Sequence, residues 1–154
     1  MKISEIMTKA TVTDAADDTL AEAAARMWNA QTGSLLVMEG EHLLGIVTER
    51  DLLRAVANGQ DPKQMPLKDI MRTDVITIGP QSSLKEAAKL MATKWIRHLP
   101  IVEGGRVVGI ISQRDLTGVL ADALHEPAAL HKLVEASSLI RERRLRRIEA
   151  GDLD

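Results

Sequence analysis

Two short runs carry the residue types that hold ligands: Thr48-Glu49-Arg50-Asp51 and Ser112-Gln113-Arg114-Asp115. In each, a hydroxyl closes an apolar stretch and an acid follows one helical turn later. A carboxylate accepts two hydrogen bonds from a vicinal diol, and a neighbouring hydroxyl adds another, which is the kind of contact made to a ribose. Arg50 and Arg114 stand one residue before each acid and bring fixed charge suited to phosphate. The helix start beside them also favours an anion. A plainer use exists, because Ser/Thr-x-x-Asp at a helix start is a cap. The two uses are compatible, and recurrence at matching positions favours a site.

A third cluster is Trp95-Ile96-Arg97-His98-Leu99-Pro100. Arg97 and His98 sit at the mouth of an apolar strand, where a basic pair can meet phosphate or simply be solvated. Pro100 within that strand predicts an edge position. The counterpart, Gln31-Thr32-Gly33-Ser34-Leu35-Leu36, has neither charge nor proline, so two pockets built from these segments should differ.

Catalytic patterns are missing. His42, His98, His125 and His131 show no metal-ligand spacing, and no phosphate loop, dinucleotide fingerprint or nucleophile elbow occurs. An enzyme is not expected, and neither is a metal. With no cysteine, disulfides, thiolate catalysis and iron–sulfur or zinc–thiolate sites are excluded. A formal charge of −2 gives no general attraction to nucleic acid or membrane. No apolar run approaches the roughly 18 residues of a membrane span, and the start Met1-Lys2-Ile3-Ser4-Glu5 lacks a signal-peptide core. A cytoplasmic protein is the expectation.

The elements that must position these clusters follow from an internal repeat. An offset of 64 carries Ile6-Met7 onto Ile70-Met71, Glu22-Ala23-Ala24 onto Glu86-Ala87-Ala88, and Arg50-Asp51-Leu52 onto Arg114-Asp115-Leu116. Roughly a third of aligned positions are identical, against about a twentieth by chance. Each copy reads strand, helix, strand, strand, helix. The first strands are predicted at Ala10 to Thr13 and Val75 to Ile78. The first helices begin near Thr19 and Ser83, with Asp18 and Ser82 as alternative caps. A hairpin follows in each copy: Ser34 to Met38 with His42 to Thr48, and His98 to Glu103 with Arg106 to Ser112. The last helices start at Glu49 and Gln113. Leu35-Leu36-Val37-Met38 and Val107-Val108-Gly109-Ile110-Ile111 are too apolar for one wet face and predict strands covered on both sides. Each copy alone buries little, so one shared, pseudo-symmetric core is expected.

The predicted units are residues 1–59, 65–122 and a helical tail, 126–150. In the tail Pro127 suits a first turn, Leu145 and Ile148 continue a broken apolar stripe, and five arginines between Arg141 and Arg147 form a basic run.

These residues resemble a tandem pair of CBS domains (cystathionine-β-synthase-type domains), the Bateman module. The resemblance lies in Ile-Met, a Thr-ending strand, Thr/Ser-Leu-x-Glu-Ala-Ala-x-x-Met, and H-x-P-I-V…G-x-V-V-G-I-I-S-x-x-D-L. It covers about 110 residues and excludes the tail. Copy two matches closely; copy one has Leu36 for the usual Pro and Gly33-Ser34 for the basic pair. The implied fold is α/β (α+β): two β-α-β-β-α repeats packed as a pseudo-two-fold pair, plus the C-terminal helix. The implied function is non-catalytic sensing of adenine nucleotides or adenosyl ligands (AMP, ADP, ATP, S-adenosylmethionine) in two clefts between the repeats, signalled in trans to a protein partner by a homodimer. Carried over, Ser112, Arg114 and Asp115 would face Ala10, Val12, Gly33 and Ser34. Thr48, Arg50 and Asp51 would face Asp74, Ile76, Ile96, Arg97 and His98, with Pro100 beside them. The missing basic pair in copy one argues against polyphosphate in the first of these clefts. The alternative is a ligand-free scaffold whose Arg-rich tail binds a protein or nucleic acid.

Overall fold

The 64-residue offset reappears in the backbone of the computed structural model, which describes residues 1–123 and 141–150. In the first copy β1 (Thr13–Asp14) leads to α1 (Leu20–Asn29), then β2 (Ser34–Glu39), β3 (His42–Thr48) and α2 (Glu49–Ala57). The second copy supplies α3 (Leu84–Lys94), β4 (His98–Glu103), β5 (Arg106–Ser112) and α4 (Gln113–Ala123). Thr19 and Ser83 are the caps of α1 and α3: each side chain accepts from the backbone N–H three residues on, and Glu22 and Glu86 return the bond to the cap N–H at 2.8 and 2.7 Å. Asp18 and Ser82 do not play that part.

The hairpins pair as the alternation dictates, β2 with β3 and β4 with β5, each with one register shift, after Val37 and Ile101. The first strands differ from expectation. In copy one the strand is shorter and later, Thr13–Asp14, parallel to β2. In copy two there is no strand from Val75 to Ile78, only a single bridge from Ile78 to Ile101. Proline explains the difference. Leu36 N–H donates to Val12 O at 2.9 Å in copy one; its counterpart Pro100 has no N–H to offer Ile76 O. Pairing in copy two starts one step later, where Ile78 N–H donates to Pro100 O at 3.1 Å.

The core is not one shared body but two clusters. Leu20, Ala23, Met27, Leu35, Val37 and Val47 pack in the first; Ala87, Met91, Leu99, Ile101, Ile111 and Leu116 pack in the second. Each is closed by the leading segment of the other copy. Leu67 and Ile70 enter the first cluster, and Ile3 the second. Backbone bonds fix the exchange: Leu20 N–H to Met65 O and Leu67 N–H to Asp18 O on one side, Ile3 N–H to Ser82 O and Ser4 N–H to Pro80 O on the other, all 2.8–3.0 Å. β2 is covered on both faces over Leu35, Leu36 and Val37, whereas Val107, Val108 and Ile110 of β5 are only half-buried.

The lead segments continue onto the opposite hairpins. Thr8 and Ile110 exchange both backbone bonds at 2.9 and 3.0 Å, and Arg72 and Ile46 do the same at 3.0 Å. This approach demands glycine beside it. A Cβ on Gly109 would lie 2.8 Å from Thr8 O, and one on Gly45 would lie 2.7 Å from Met71 Sδ and 2.9 Å from Arg72 O.

Residues 141–149 are helical. Leu145 and Ile148 there are about half exposed, and the Arg147 guanidinium stands 5.3 Å from the centre of the Trp95 ring. The expected tail between Pro127 and residue 140 lies outside the described residues. No helix among the described residues is long and apolar enough to cross a membrane.

Candidate functional site

Both acids cap their helices, and one of them keeps a carboxylate oxygen open. Asp51 Oδ2 accepts from the Thr48 N–H and hydroxyl at 2.8 and 2.9 Å. Asp115 Oδ2 accepts from the Ser112 N–H and hydroxyl, both at 2.7 Å. Both acids therefore hold their own helix starts. They differ in the second oxygen. Asp51 Oδ1 is held by Arg54 Nη2 at 2.9 Å, and Asp51 is nearly buried. The residue equivalent to Arg54 is Gly118, and among the described residues nothing bonds Asp115 Oδ1. One acid is closed by a neighbour on its own helix; the other keeps an acceptor.

The space in front of each follows suit. Asp115 borders a cleft of about 480 Å³ between the copies, within the range of sites that enclose small ligands. Its wall includes Ala10, Val12, Gly33, Ser34, Ser112 and Arg114, so all seven residues named for this cleft stand around one cavity. Asp51 borders a cleft of about 70 Å³, with Thr48, Arg50, Ile96, Arg97 and His98. That is too little for a nucleoside. Asp74 and Ile76 are not on its wall. Asp74 is exposed, and Ile76 packs against the second core; without a Pro100 N–H, Ile76 O lacks the bond that ties Val12 O to Leu36. Pro100 itself is fully buried, opposite Ile110 in the hairpin, and borders neither cleft.

Four features escaped the sequence reading. First, Arg97 and His98 border both clefts, so the larger cleft has the basic segment that copy one lacks, supplied from copy two. Second, Glu49 enters the larger cleft and pairs with Arg97 at 3.4 Å. Third, Arg72, Lys94 and Trp95 border the smaller cleft. Trp95 ends α3 in the left-handed conformation with φ 59°, a stop that no glycine announces. Arg72 was findable, since the offset of 64 pairs it with Thr8 of the other wall. Fourth, the Ser34 hydroxyl is buried with no hydrogen-bond partner among the described residues, an uncommon state for a buried polar group.

His98 does not act as a full cation. Burial first, and the Arg97 charge second, push its pKa below the ordinary 6.5 despite the opposing pull of Glu49 and Asp115. At neutral pH Arg97 carries the charge and His98 is a neutral hydrogen-bonding group. No group of three or more potential metal ligands gathers among the described residues.

Comparison with known proteins identifies the family and the fold. The model of the family described as CBS domain matches twice, over residues 3–58 and 67–122. CBS domain-containing protein YhcV of Bacillus subtilis is 37% identical, covering 74% of this chain and 81% of that one. Uncharacterized protein MK0525 of Methanopyrus kandleri is 34% identical over 77% of this chain, which spans only 62% of that relative's length. Among solved structures, CBS domain protein PAE2072 from Pyrobaculum aerophilum, complexed with AMP, is 28% identical with a TM-score of 0.71, covering 88% of this chain and 99% of that one. The CBS domain pair of protein MJ0100, in complex with 5'-methylthioadenosine and S-adenosyl-L-methionine, is 25% identical with a TM-score of 0.74, covering 80% and 98%.

Proposed function

The chain belongs to the CBS-domain family, as a tandem pair, and from that premise we propose that it is a non-catalytic sensor binding an adenine nucleotide or adenosyl ligand in the larger cleft. One observation carries the reading: Asp115 Oδ1 is an open acceptor on a cavity of about 480 Å³ that both copies build. The ribose diol lies on Asp115, with the Ser112 hydroxyl alongside. The base lies against Ala10 and Val12, near the partnerless Ser34 hydroxyl. A phosphate or other polar tail points to Arg114 and Arg97. The ligands held by PAE2072 and MJ0100 are adenosyl compounds, which supports the class and leaves the tail open.

Such a ligand touches both copies, so it favours one relative packing of the halves only through unequal affinity for the alternatives. A protein partner reads that packing in trans. Self-association through the outer helices belongs to this reading, on the exposed apolar side chains Leu53 and Val56 of α2 and Leu120 of α4.

Calorimetric titration with AMP, ADP, ATP and S-adenosylmethionine tests the assignment. Asp115→Ala is expected to weaken the best ligand about 10- to 100-fold, the range for hydrogen bonds to a charged group. Asp51→Ala leaves that affinity within about twofold, because its carboxylate is already held by Arg54. Undiminished binding by Asp115→Ala removes this acid from the site.

A further inference from the structure

We propose that Glu49 decides which adenosyl ligand the larger cleft accepts: by holding Arg97, its carboxylate selects a ligand with no more than one phosphate over a di- or triphosphate. This rests on the ligand class proposed above and concerns the tail that class leaves open.

Glu49 is placed by the backbone. It is the first residue of α2, and its N–H donates to Gly33 O at 3.0 Å, which fixes it where the two copies meet. Its side chain fills the room that Gly33 leaves: a Cβ on Gly33 would lie 3.1 Å from Glu49 Cδ and 3.2 Å from Oε2. The same oxygen stands 3.4 Å from Arg97 Nη2.

The fold does not require this acid. Asp51 already caps α2, and the equivalent position in copy two is the neutral Gln113, whose N–H makes the matching bond to Arg97 O at 2.8 Å. Both partners of the Glu49–Arg97 pair are about half exposed, and such pairs add little to stability. What the pair does change is the charge that a ligand meets.

Among the described residues, the larger cleft sets Arg97 and Arg114 against Glu49 and Asp115. The smaller sets Arg50, Arg72, Lys94 and Arg97 against Asp51 alone. With Asp115 turned to the sugar and Arg97 shared with Glu49, a tail in the larger cleft meets one unopposed cation, Arg114. One phosphate can bond that guanidinium directly. Each further phosphate brings negative charge toward a carboxylate, and like charges placed together in a partly dry site cost affinity.

Competition titrations on the full chain, in which AMP or ATP displaces adenosine, read the larger cleft alone, because the smaller has no room for a nucleoside. In wild type at low salt AMP is expected to bind tighter than ATP. Glu49→Gln should raise ATP affinity about tenfold while moving adenosine affinity less than about twofold, and the gap should narrow as salt rises. Gln113→Glu adds a carboxylate to the same cleft and should weaken ATP further. An AMP-to-ATP ratio unmoved by both substitutions, with adenosine still bound, overturns the role of Glu49 and leaves the adenosyl site standing. Absence of adenosine and AMP binding in wild type overturns both.

Discussion

At the scale of single residues, an arginine against a glycine separates two otherwise matched acids. Arg54 closes Asp51, and Gly118 leaves Asp115 open. That contrast was legible in the sequence, three residues beyond each acid, once the offset of 64 was known. The state of His98 was not legible, because burial sets it. Its environment disfavours the protonated form through burial and Arg97, with Arg114 adding to this, while Glu49 and Asp115 oppose. In the unfolded chain the imidazole takes up its proton near the ordinary 6.5; in the folded chain it does so only at lower pH. The unfolded state therefore binds more protons across that window, and stability falls as pH drops through it. Urea denaturation at about pH 7.5 and about pH 5.5 should show wild type losing more stability on acidification than His98→Gln. Equal losses would mean that His98 titrates alike in both states.

Elements add what residue types alone do not reveal. The Gly-Ile step recurs at Gly45-Ile46 and Gly109-Ile110, and its purpose is the backbone of the other copy lying directly against it. Gly109→Ala forces its Cβ against Thr8 O, a backbone atom that cannot rotate aside. The expected cost is about 1–3 kcal/mol, the usual penalty of an overpacked contact, measured as a lower denaturation midpoint. An unchanged midpoint would mean that the lead segment is not docked there. The hairpins, the caps at Thr19 and Ser83 and the helix faces were all readable from period and capping chemistry. The first strands were not, since two or fewer paired residues leave too little periodicity, and a missing Pro100 N–H acts only through its partner across the sheet.

For the molecule as a whole, the exchange of lead segments makes neither half self-sufficient. Ile3 completes the second core; Leu67 and Ile70 complete the first. Fragments 1–63 and 64–154 should each fail to fold alone, as expected when a unit of about 60 residues also loses part of its core. Far-UV circular dichroism of each fragment and of their mixture checks this: structure should appear on mixing. Cooperative unfolding of fragment 1–63 by itself would contradict it. The same meeting of the halves lets Arg97 and His98 border both clefts, so the basic pair missing from copy one is supplied to the larger cleft by copy two.

The sequence by itself determined the duplication, the helices and the hairpins, because periodicity, capping chemistry and a fixed offset are properties of the chain in one dimension; its resemblance to a family named seven of the residues around the larger cleft. Tertiary structure alone decided that one cleft is open and the other nearly closed, that two cores replace one, and that Glu49 meets Arg97. These outcomes depend on which segments of opposite copies come within a few ångströms of one another, and distances across the chain are set only when both halves pack.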